Sequence, residues 1–420
     1  MSWICCTRRI FCLFLTHKTF IYKNIQIKPI HYTLSVLLLA SASLWAENNE
    51  GYKFETVVNQ KVTPVKDQAS TGTCWCFATT SFVEAELLRQ GKGEYDLSEM
   101  FIVRQKYMNQ LKDNFLRQGK GNIGQGSITT SWITAFNQVG IVPEEVYTGI
   151  NYDSKLHNHS EMVEYMTAIA KEAVDMKKSS PQYEQLINSL FDIYLGKVPE
   201  KFTYKGKEYT PKSFAESLGI CTDDYVMLTS FTHKPYYEPF EIEIPDNWEH
   251  DRMYNLPLDE LIEATDHALT NGYTVCWDGD VSERGFSFSN GVAINPEVDD
   301  VDEYKDSDRA RWGQMTKRDR LAEVFQFKHP YPEVNVTPEI RQQGYESFAT
   351  TDDHLMHLTG IAKDQNGTKY YITKNSWAAD SNKFGGYLNM SESYVRAKTI
   401  FVMMYKDSLP KELKNKLGIK

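Results

Sequence analysis

The spacing of apolar residues is helical in the first half of this chain and strand-like near its end, which limits the folds it can adopt. Residues 77–90 place apolar side chains at every third or fourth position and stop at Gly91, which predicts a helix. Residues 128–139 predict a second amphipathic helix. Residues 160–195 are rich in helix formers and predict two helices that separate at residues 179–181.

Three segments near the C-terminus predict antiparallel strands. They are residues 357–362, 370–373 and 386–390, and the Gln-Asn-Gly sequence at 365–367 predicts a hairpin turn between the first two. Helices early and antiparallel strands late favour an α+β fold whose two halves face each other. With 420 residues and 41% apolar content, the chain is long enough to bury one large core or two smaller ones.

The charge of the chain is acidic and unevenly distributed. The formal net charge is -10, yet residues 1–46 hold five Lys or Arg residues and no Asp or Glu. The remaining body is therefore more acidic than the total suggests. This balance argues against nucleic acid or an anionic membrane surface as a partner.

A short apolar run near the start predicts a secretory signal. Residues 34–42 follow the basic residue Lys28 and end in small residues, so that cleavage after Ala42 or Ala46 is expected. The alternative is a membrane anchor, but the run is about half of the ~20 residues that a spanning helix needs. We therefore expect an exported protein, periplasmic or secreted, without a stable membrane anchor.

The cysteine pattern does not predict a disulfide framework or a metal site. Four cysteines remain outside the predicted leader, and Cys74 and Cys76 flank a single residue, which is too close for an ordinary disulfide. We expect no metal and no cofactor. The seven cysteines are Cys5, Cys6, Cys12, Cys74, Cys76, Cys221 and Cys276.

One of these cysteines lies where a protein can activate a thiol. Cys74 follows a Gly-containing loop and begins the predicted helix, whose N-terminus stabilises a thiolate. Gln68 lies six residues upstream, so its side-chain amide and the Cys74 backbone amide can form an oxyanion hole. The alternative interpretation is a buried structural thiol, the commonest state of a free cysteine.

A thiol nucleophile needs an imidazole base and a group that orients it. His354 heads a predicted strand, and Asn375 follows in the next one. His357 competes for the role of base, but it differs by three positions and should point to the opposite face of the strand. We therefore predict Cys74 as nucleophile, His354 as general base and Asn375 as its orienter.

Taken together, these motifs resemble the papain superfamily of cysteine peptidases. Gln68, Cys74-Trp75 and Phe77 are similar to the pattern Q-x5-C-W-x-F, His354 and Gly360 to H-x5-G, and residues 375–377 to N-S-W. The resemblance implies a two-subdomain fold, with the nucleophile helix in a helical half and the base in an antiparallel β half. It also implies that Trp377 shields the bond between Asn375 and His354 from water.

The middle of the chain resembles the bleomycin hydrolase and aminopeptidase C family. Cys74 and His354 are 280 residues apart, against about 130–150 in a plain papain-like chain, so an insertion is required. Segments near residues 195–202 and 209–214 resemble that family in order. The predicted units are a leader at 1–46, a helical half at 47–159, a helical insertion at 160–265 and a β-rich half at 266–420.

The family resemblance also implies substrate contacts at Gly126, Ser127 and Trp377. Gly126 and Ser127 stand where relatives carry a Gly-Gly pair that contacts the substrate chain; Gly126 matches and Ser127 departs. Asp352 and Asp353 precede the predicted base. They can hold a substrate amine or form a solvated turn, and we favour the turn.

The resemblance implies an aminopeptidase that acts on peptide substrates and forms a homo-oligomer, commonly a hexamer. In that family the C-terminal residues restrict the cleft, whereas this sequence stops at Lys420, about a dozen residues early. Broader endopeptidase action is therefore the alternative. A non-catalytic binding protein is a further alternative, disfavoured by the intact Gln, Cys, His and Asn set. A transglutaminase-like enzyme would have Asp at position 375.

Overall fold

The computed structural model describes residues 51–298 and 315–420. Residues from Glu50 to Lys420 belong to one compact unit. The leader predicted at 1–46, with its three cysteines, lies outside the described residues. Within the described residues, we find no helix that combines the length and the apolar character needed to cross a bilayer.

Helices dominate the first part of the described chain and recur between and after the later strands. The helices are α1 (Cys74–Arg89), α2 (Glu99–Leu116), α3 (Thr129–Val139), α4 (Ser160–Asp175), α5 (Pro181–Leu195), α6 (Pro211–Leu218), α7 (Leu258–Thr270), α8 (Lys317–Val324), α9 (Pro338–Glu346), α10 (Glu392–Lys398) and α11 (Lys411–Leu417).

Most strands join one large sheet, and β2 and β3 form a separate hairpin. In the large sheet the order is β5-β6-β4-β13-β7-β10-β11-β12-β9-β8, with β1 added on β10. The strands are β1 (Phe54–Asn59), β2 (Phe202–Tyr204), β3 (Lys207–Tyr209), β4 (Tyr225–Thr229), β5 (Pro239–Glu241), β6 (Arg252–Asn255), β7 (Val275–Gly279), β8 (Phe286–Ser287), β9 (Val292–Ala293), β10 (His354–Asp364), β11 (Lys369–Lys374), β12 (Tyr387–Ser391) and β13 (Thr399–Tyr405).

The two faces of the central strands belong to different cores. Cys276 of β7 and Leu355 of β10 join the apolar core built around α1, α2 and α3. Their neighbours Trp277 and Met356 join a second core, covered by α7, α10 and α11. Successive strand residues point to opposite faces, so one sheet supports both cores. The near-continuous apolar sequence of β7 follows from this double burial.

Helix α1 lies between the sheet and the other helices. Every residue from Cys74 to Leu87 is buried, and only the end of the helix reaches solvent. A helix that is buried on all sides shows little amphipathic pattern. The spacing of apolar residues therefore does not predict that α1 lies at the centre of the fold. Its first residue is Cys74, three residues before the start predicted from the apolar spacing.

The other predicted elements are present, with shifted ends. Ser180 caps α5 through its side chain, and Pro181 occupies the first turn, which explains the predicted break. Strand β10 starts at His354 rather than at 357, because its first residues pair with β7. The segment 160–265, predicted as a helical insertion, also supplies β4 and β6 to the large sheet.

Gly360 is required where β1 meets β10. Asn59 pairs with Gly360, and a methyl group at Gly360 would overlap the carbonyl group of Val58. The pairing register also shifts between Leu358 and Gly360. The glycine six residues after His354 therefore serves the close approach of β1, which is the physical reason for that spacing.

A buried ion cluster fastens the N-terminal segment to the helical half. The ammonium group of Lys66 contacts Glu99 at 2.8 Å and Glu84 at 3.3 Å, and it donates to the Leu97 carbonyl at 2.9 Å. The side chains of Glu84 and Glu99 are 1% and 3% exposed. Removing the cation would leave two buried carboxyl groups without their counter-charge.

Replacing Lys66 with Met should therefore destabilise the protein strongly. We expect Lys66→Met to lower the free energy of unfolding by about 3–5 kcal/mol, measured by urea denaturation with tryptophan fluorescence. The matched control is Lys61→Met, because Lys61 pairs with Glu94 on the surface, where both side chains are more than half exposed. That change should stay under about 1 kcal/mol. Equal effects of the two variants would contradict the assignment.

Candidate active site

Cys74 is the first residue of α1 and lies against the start of β10. The backbone amide of Leu355 lies near enough to the Cys74 sulfur to lower the pKa of the thiol, although burial raises it by more. Because Leu355 follows His354 directly, this proximity brings the predicted nucleophile to the strand that carries the predicted base. The Cys74 amide belongs to the first helical turn, where backbone N–H groups have no acceptor within the helix.

His354 is held by Asn375. The Nε2 atom of His354 lies 2.8 Å from Oδ1 of Asn375, and this oxygen also accepts the amide of Ser376 at 2.7 Å. An amide oxygen can only accept, so Nε2 carries the proton and Nδ1 is left as the basic nitrogen. The ring of Trp377 packs over the imidazole with a centroid distance of 4.8 Å, the position predicted for a shield.

Gln68 is fixed by the same segment. Its Oε1 accepts the Ser376 hydroxyl at 2.7 Å, and its backbone amide donates to the Ser376 carbonyl at 2.8 Å. The Nε2 atom donates one hydrogen to the Thr71 carbonyl at 2.8 Å. A primary amide has two N–H donors. The Thr71 carbonyl uses one of them, and the predicted oxyanion hole would use the other.

His357 faces away from the His354 pocket, as the alternation of strand residues predicts. Its Nδ1 lies 2.9 Å from the hydroxyl of Ser81, and its ring packs edge-to-face against Phe82. Both partners belong to α1. The imidazole therefore contributes to packing between the helix and the sheet.

Hydrogen bonds from Lys106 hold the loop that contains Gly126 and Ser127. The buried ammonium group donates to the carbonyls of residues 124, 125 and 126, at 2.8, 3.2 and 2.6 Å. Gly126 has no space for a side chain, because a methyl group there would overlap the carboxyl group of Asp246. The hydroxyl of Ser127 is buried and accepts a hydrogen bond from Trp248 at 2.9 Å. This hydroxyl is therefore engaged in a hydrogen bond within the protein, and only the backbone at 126–127 remains for a ligand.

Burial opposes ionisation of both predicted reacting groups. It raises the pKa of the Cys74 thiol to about 12, against a smaller lowering by the Leu355 amide. It lowers the pKa of His354 to about 4, and the hydrogen bond to Asn375 opposes this change. The sequence predicted that the helix terminus would stabilise a thiolate. The direction of this pKa change is opposite to that prediction, because burial raises the pKa of the thiol.

Carboxyl groups near the sulfur add to this effect. Asp278, Asp352 and Asp246 each raise the pKa of Cys74 through their negative charge. Asp278 is fully buried in β7, and Asp352 is half-buried with its Oδ2 atom inaccessible to solvent. The sequence predicted a solvated turn at Asp352 and Asp353. This is wrong for Asp352, whose carboxyl group contacts that of Asp278.

Sequence reasoning missed Asp278 and Asp246. Asp278 lies between Trp277 and Gly279 in an otherwise apolar strand, and a lone carboxyl group in such a strand is a usable signal. Its neighbour across the sheet is 77 positions away at Leu355. No local pattern predicts that register. Among the described residues, no group of three potential ligands is arranged to hold a metal ion.

The buried acid pair should make the stability of the protein fall as pH rises. Burial raises the pKa of Asp352 from 3.8 to about 7 and raises the pKa of Asp278 as well. Between about pH 4 and pH 7 the folded state therefore holds protons that the unfolded state has lost, and stability decreases across that window.

The double variant Asp278→Asn/Asp352→Asn should consequently be more stable than the wild type at pH 8, by about 2–4 kcal/mol. The gain should shrink toward pH 4, as measured by thermal unfolding across the pH range. Asp223→Asn is the control, because this carboxyl group is exposed on a surface turn. A double variant that melts below the wild type at pH 8 would contradict the burial of this charge.

Comparison with known proteins agrees with the geometry. The model of the papain family cysteine proteases matches residues 52–205. Aminopeptidase C of Lactobacillus helveticus is 24% identical over 400 residues, which cover 83% of this chain and 80% of that protein. Mitochondrial cysteine proteinase 1 of Saccharomyces cerevisiae is 23% identical and covers 96% of this chain and 85% of its own length.

A solved structure shares the fold. The crystal structure of PepW from Lactobacillus rhamnosis superposes with a TM-score of 0.63 over 92% of both chains, at 18% sequence identity. The α+β architecture with a papain-like arrangement is thereby confirmed. Residues 52–205 thus match the papain family of cysteine proteases, and most of the chain is similar to aminopeptidase C in sequence and to PepW in fold.

Proposed function

We propose that this protein is a thiol-dependent aminopeptidase that hydrolyses peptide bonds through an acyl-enzyme on Cys74. The observation that carries the proposal is the junction of α1 with β10. There a sulfur at a helix start meets a strand whose first residue is an imidazole held by Asn375 at 2.8 Å. Two relatives at 24% identity are named aminopeptidase C, which supports the exopeptidase assignment.

The first half of the reaction forms a thioester. The Cys74 sulfur attacks the carbonyl carbon as Nδ1 of His354 takes the thiol proton, and the carbonyl electron pair moves to the oxygen. Because both groups are buried and neutral beforehand, this transfer creates an ion pair only in the step that needs it. The oxyanion receives hydrogen bonds from the Cys74 amide and from Nε2 of Gln68.

The second half releases both products. The oxyanion collapses, the carbon–nitrogen bond breaks, and the imidazolium of His354 gives its proton to the leaving amine. Water then attacks the thioester with His354 as base, which yields the free acid and restores the thiol. Asn375 keeps the imidazole in one tautomer throughout.

A broader endopeptidase activity is the second candidate. Leu413 and Leu417 of α11 pack into the second core, and Lys416 contacts Glu260 of α7 at 2.8 Å. Helix α11 is therefore held on the side of the sheet that α7 covers, not beside Cys74. These residues do not limit substrate length at the nucleophile. Export and hexamer formation, which the sequence predicted, stay predictions.

Fluorogenic aminoacyl substrates and their N-acetylated counterparts test the proposal directly. We expect the purified protein under reducing conditions to cleave the free aminoacyl substrates at least about tenfold faster, because an aminopeptidase requires a free amine. Cys74→Ser should abolish turnover, because the substitution removes the thiol nucleophile. Cys221→Ser is the control, because Cys221 is an exposed free thiol and should be dispensable.

Two results would overturn the assignment in different ways. Equal cleavage of free and N-acetylated substrates would exclude aminopeptidase specificity and favour the endopeptidase candidate. Absence of turnover by the wild type on any substrate of the panel would favour a non-catalytic protein with this fold.

A further inference from the structure

The pairing of β7 with β10 places Asp278 beside the nucleophile. Asp278 lies directly opposite Leu355, and Cys276 lies opposite His357. Opposite residues of an antiparallel pair project from the same face of a sheet. His357 contacts α1 on that face, so Asp278 points to the side of the sheet that α1 covers. The charge of Asp278 and the amide of Leu355 both act on the Cys74 sulfur.

The carboxyl group of Asp278 lacks a donor. Apart from the proton that it shares with Asp352, both of its oxygens are buried without a hydrogen-bond partner in the described part of the chain. The Oδ2 atom of Asp352 is in the same state. Buried polar atoms in proteins nearly always have partners. Acceptors that are left without a donor beside the nucleophile therefore indicate a group that arrives with the substrate.

The charge around these acceptors is negative. The charged groups that act on Asp352 are other carboxyl groups: Asp246, Asp278 and Asp353. Asp246 packs against Gly126, and its charge acts on both carboxyl groups. Lys106 partly offsets Asp246, but its ammonium group is committed to the carbonyls beneath the loop. A cleft lined by one sign of charge concentrates ligands of the other sign.

We propose that Asp278 and Asp352, with Asp246 facing them, form a subsite for a primary ammonium group of the substrate. An ammonium group is compact and brings three N–H donors, which suit carboxyl oxygens that lack donors. This inference rests on the proposed function and identifies the chemical group of the substrate that the site recognises. The ammonium group has two chemical sources: the N-terminus of the substrate, or a lysine side chain one residue before the acylating residue.

Binding of the cation also bears on the nucleophile. The three carboxyl groups raise the pKa of the Cys74 thiol. An ammonium group bound among them offsets that charge and makes proton transfer to His354 easier. Substrates that carry the cation should therefore have a higher kcat as well as a lower KM.

The experiment compares three substrates with one leaving group: alanyl-aminomethylcoumarin, its N-acetyl form, and N-acetyl-lysyl-alanyl-aminomethylcoumarin. For the wild type we expect kcat/KM to be at least tenfold higher for a substrate with an ammonium group than for N-acetyl-alanyl-aminomethylcoumarin. In Asp278→Asn/Asp352→Asn this ratio should fall at least tenfold. Asp223→Asn, the exposed control, should keep the wild-type ratio. The ratio is read within one variant, so a general loss of activity does not affect it.

The two substrates that carry an ammonium group identify the source of the cation. Preference for alanyl-aminomethylcoumarin assigns the subsite to the N-terminus, and preference for the lysyl substrate assigns it to a side chain. A second measurement needs no variant: butylamine should inhibit the wild type competitively at a concentration at least tenfold lower than butanol, its neutral analogue.

Failure of the inference is distinct from failure of the proposed function. An unchanged ratio in the double variant, or equal inhibition by butylamine and butanol, would overturn the ammonium subsite while peptidase activity stands. Absence of cleavage of all three substrates would remove the peptidase proposal and the inference with it.

Discussion

The packing of helix α1 against strand β10 is the contact on which the rest of the site depends. It brings a sulfur from the helical half to the Leu355 amide of the β half, one residue from His354. The same strand positions Asn375 through β11, and Ser376 then returns to hold Gln68. Each predicted role therefore relies on one interface between two cores. Farther along β10, Gly360 allows the backbone of β1 to approach closely.

Local chemistry made part of this architecture predictable. The loop before Cys74, the cap at Ser180 and the strand alternation around His354 are patterns within a few residues of each other. They placed the predicted nucleophile at a helix start and His357 on the other face of the strand. The ends of β10 and α1 differed because strand pairing and complete burial, rather than local spacing, determine them.

What the sequence did not predict depends on contacts between distant residues. The position of Asp278 near Cys74 follows from its register opposite Leu355. The burial of the Ser127 hydroxyl follows from its hydrogen bond with Trp248, which lies 121 positions away. The direction of the pKa change at Cys74 reversed for the same reason, because burial and three remote carboxyl groups outweigh the helix terminus. Buried acids that destabilise the folded state are typical of functional sites rather than of packing.

Covalent labelling with an epoxide thiol probe, followed by mass spectrometry, tests the central claim most directly. The claim is that Cys74 reacts because His354 takes its proton. We predict one adduct on Cys74 in the wild type and a labelling rate reduced by at least about 100-fold in His354→Gln. An adduct on another cysteine, or an unchanged rate in His354→Gln, would contradict the account.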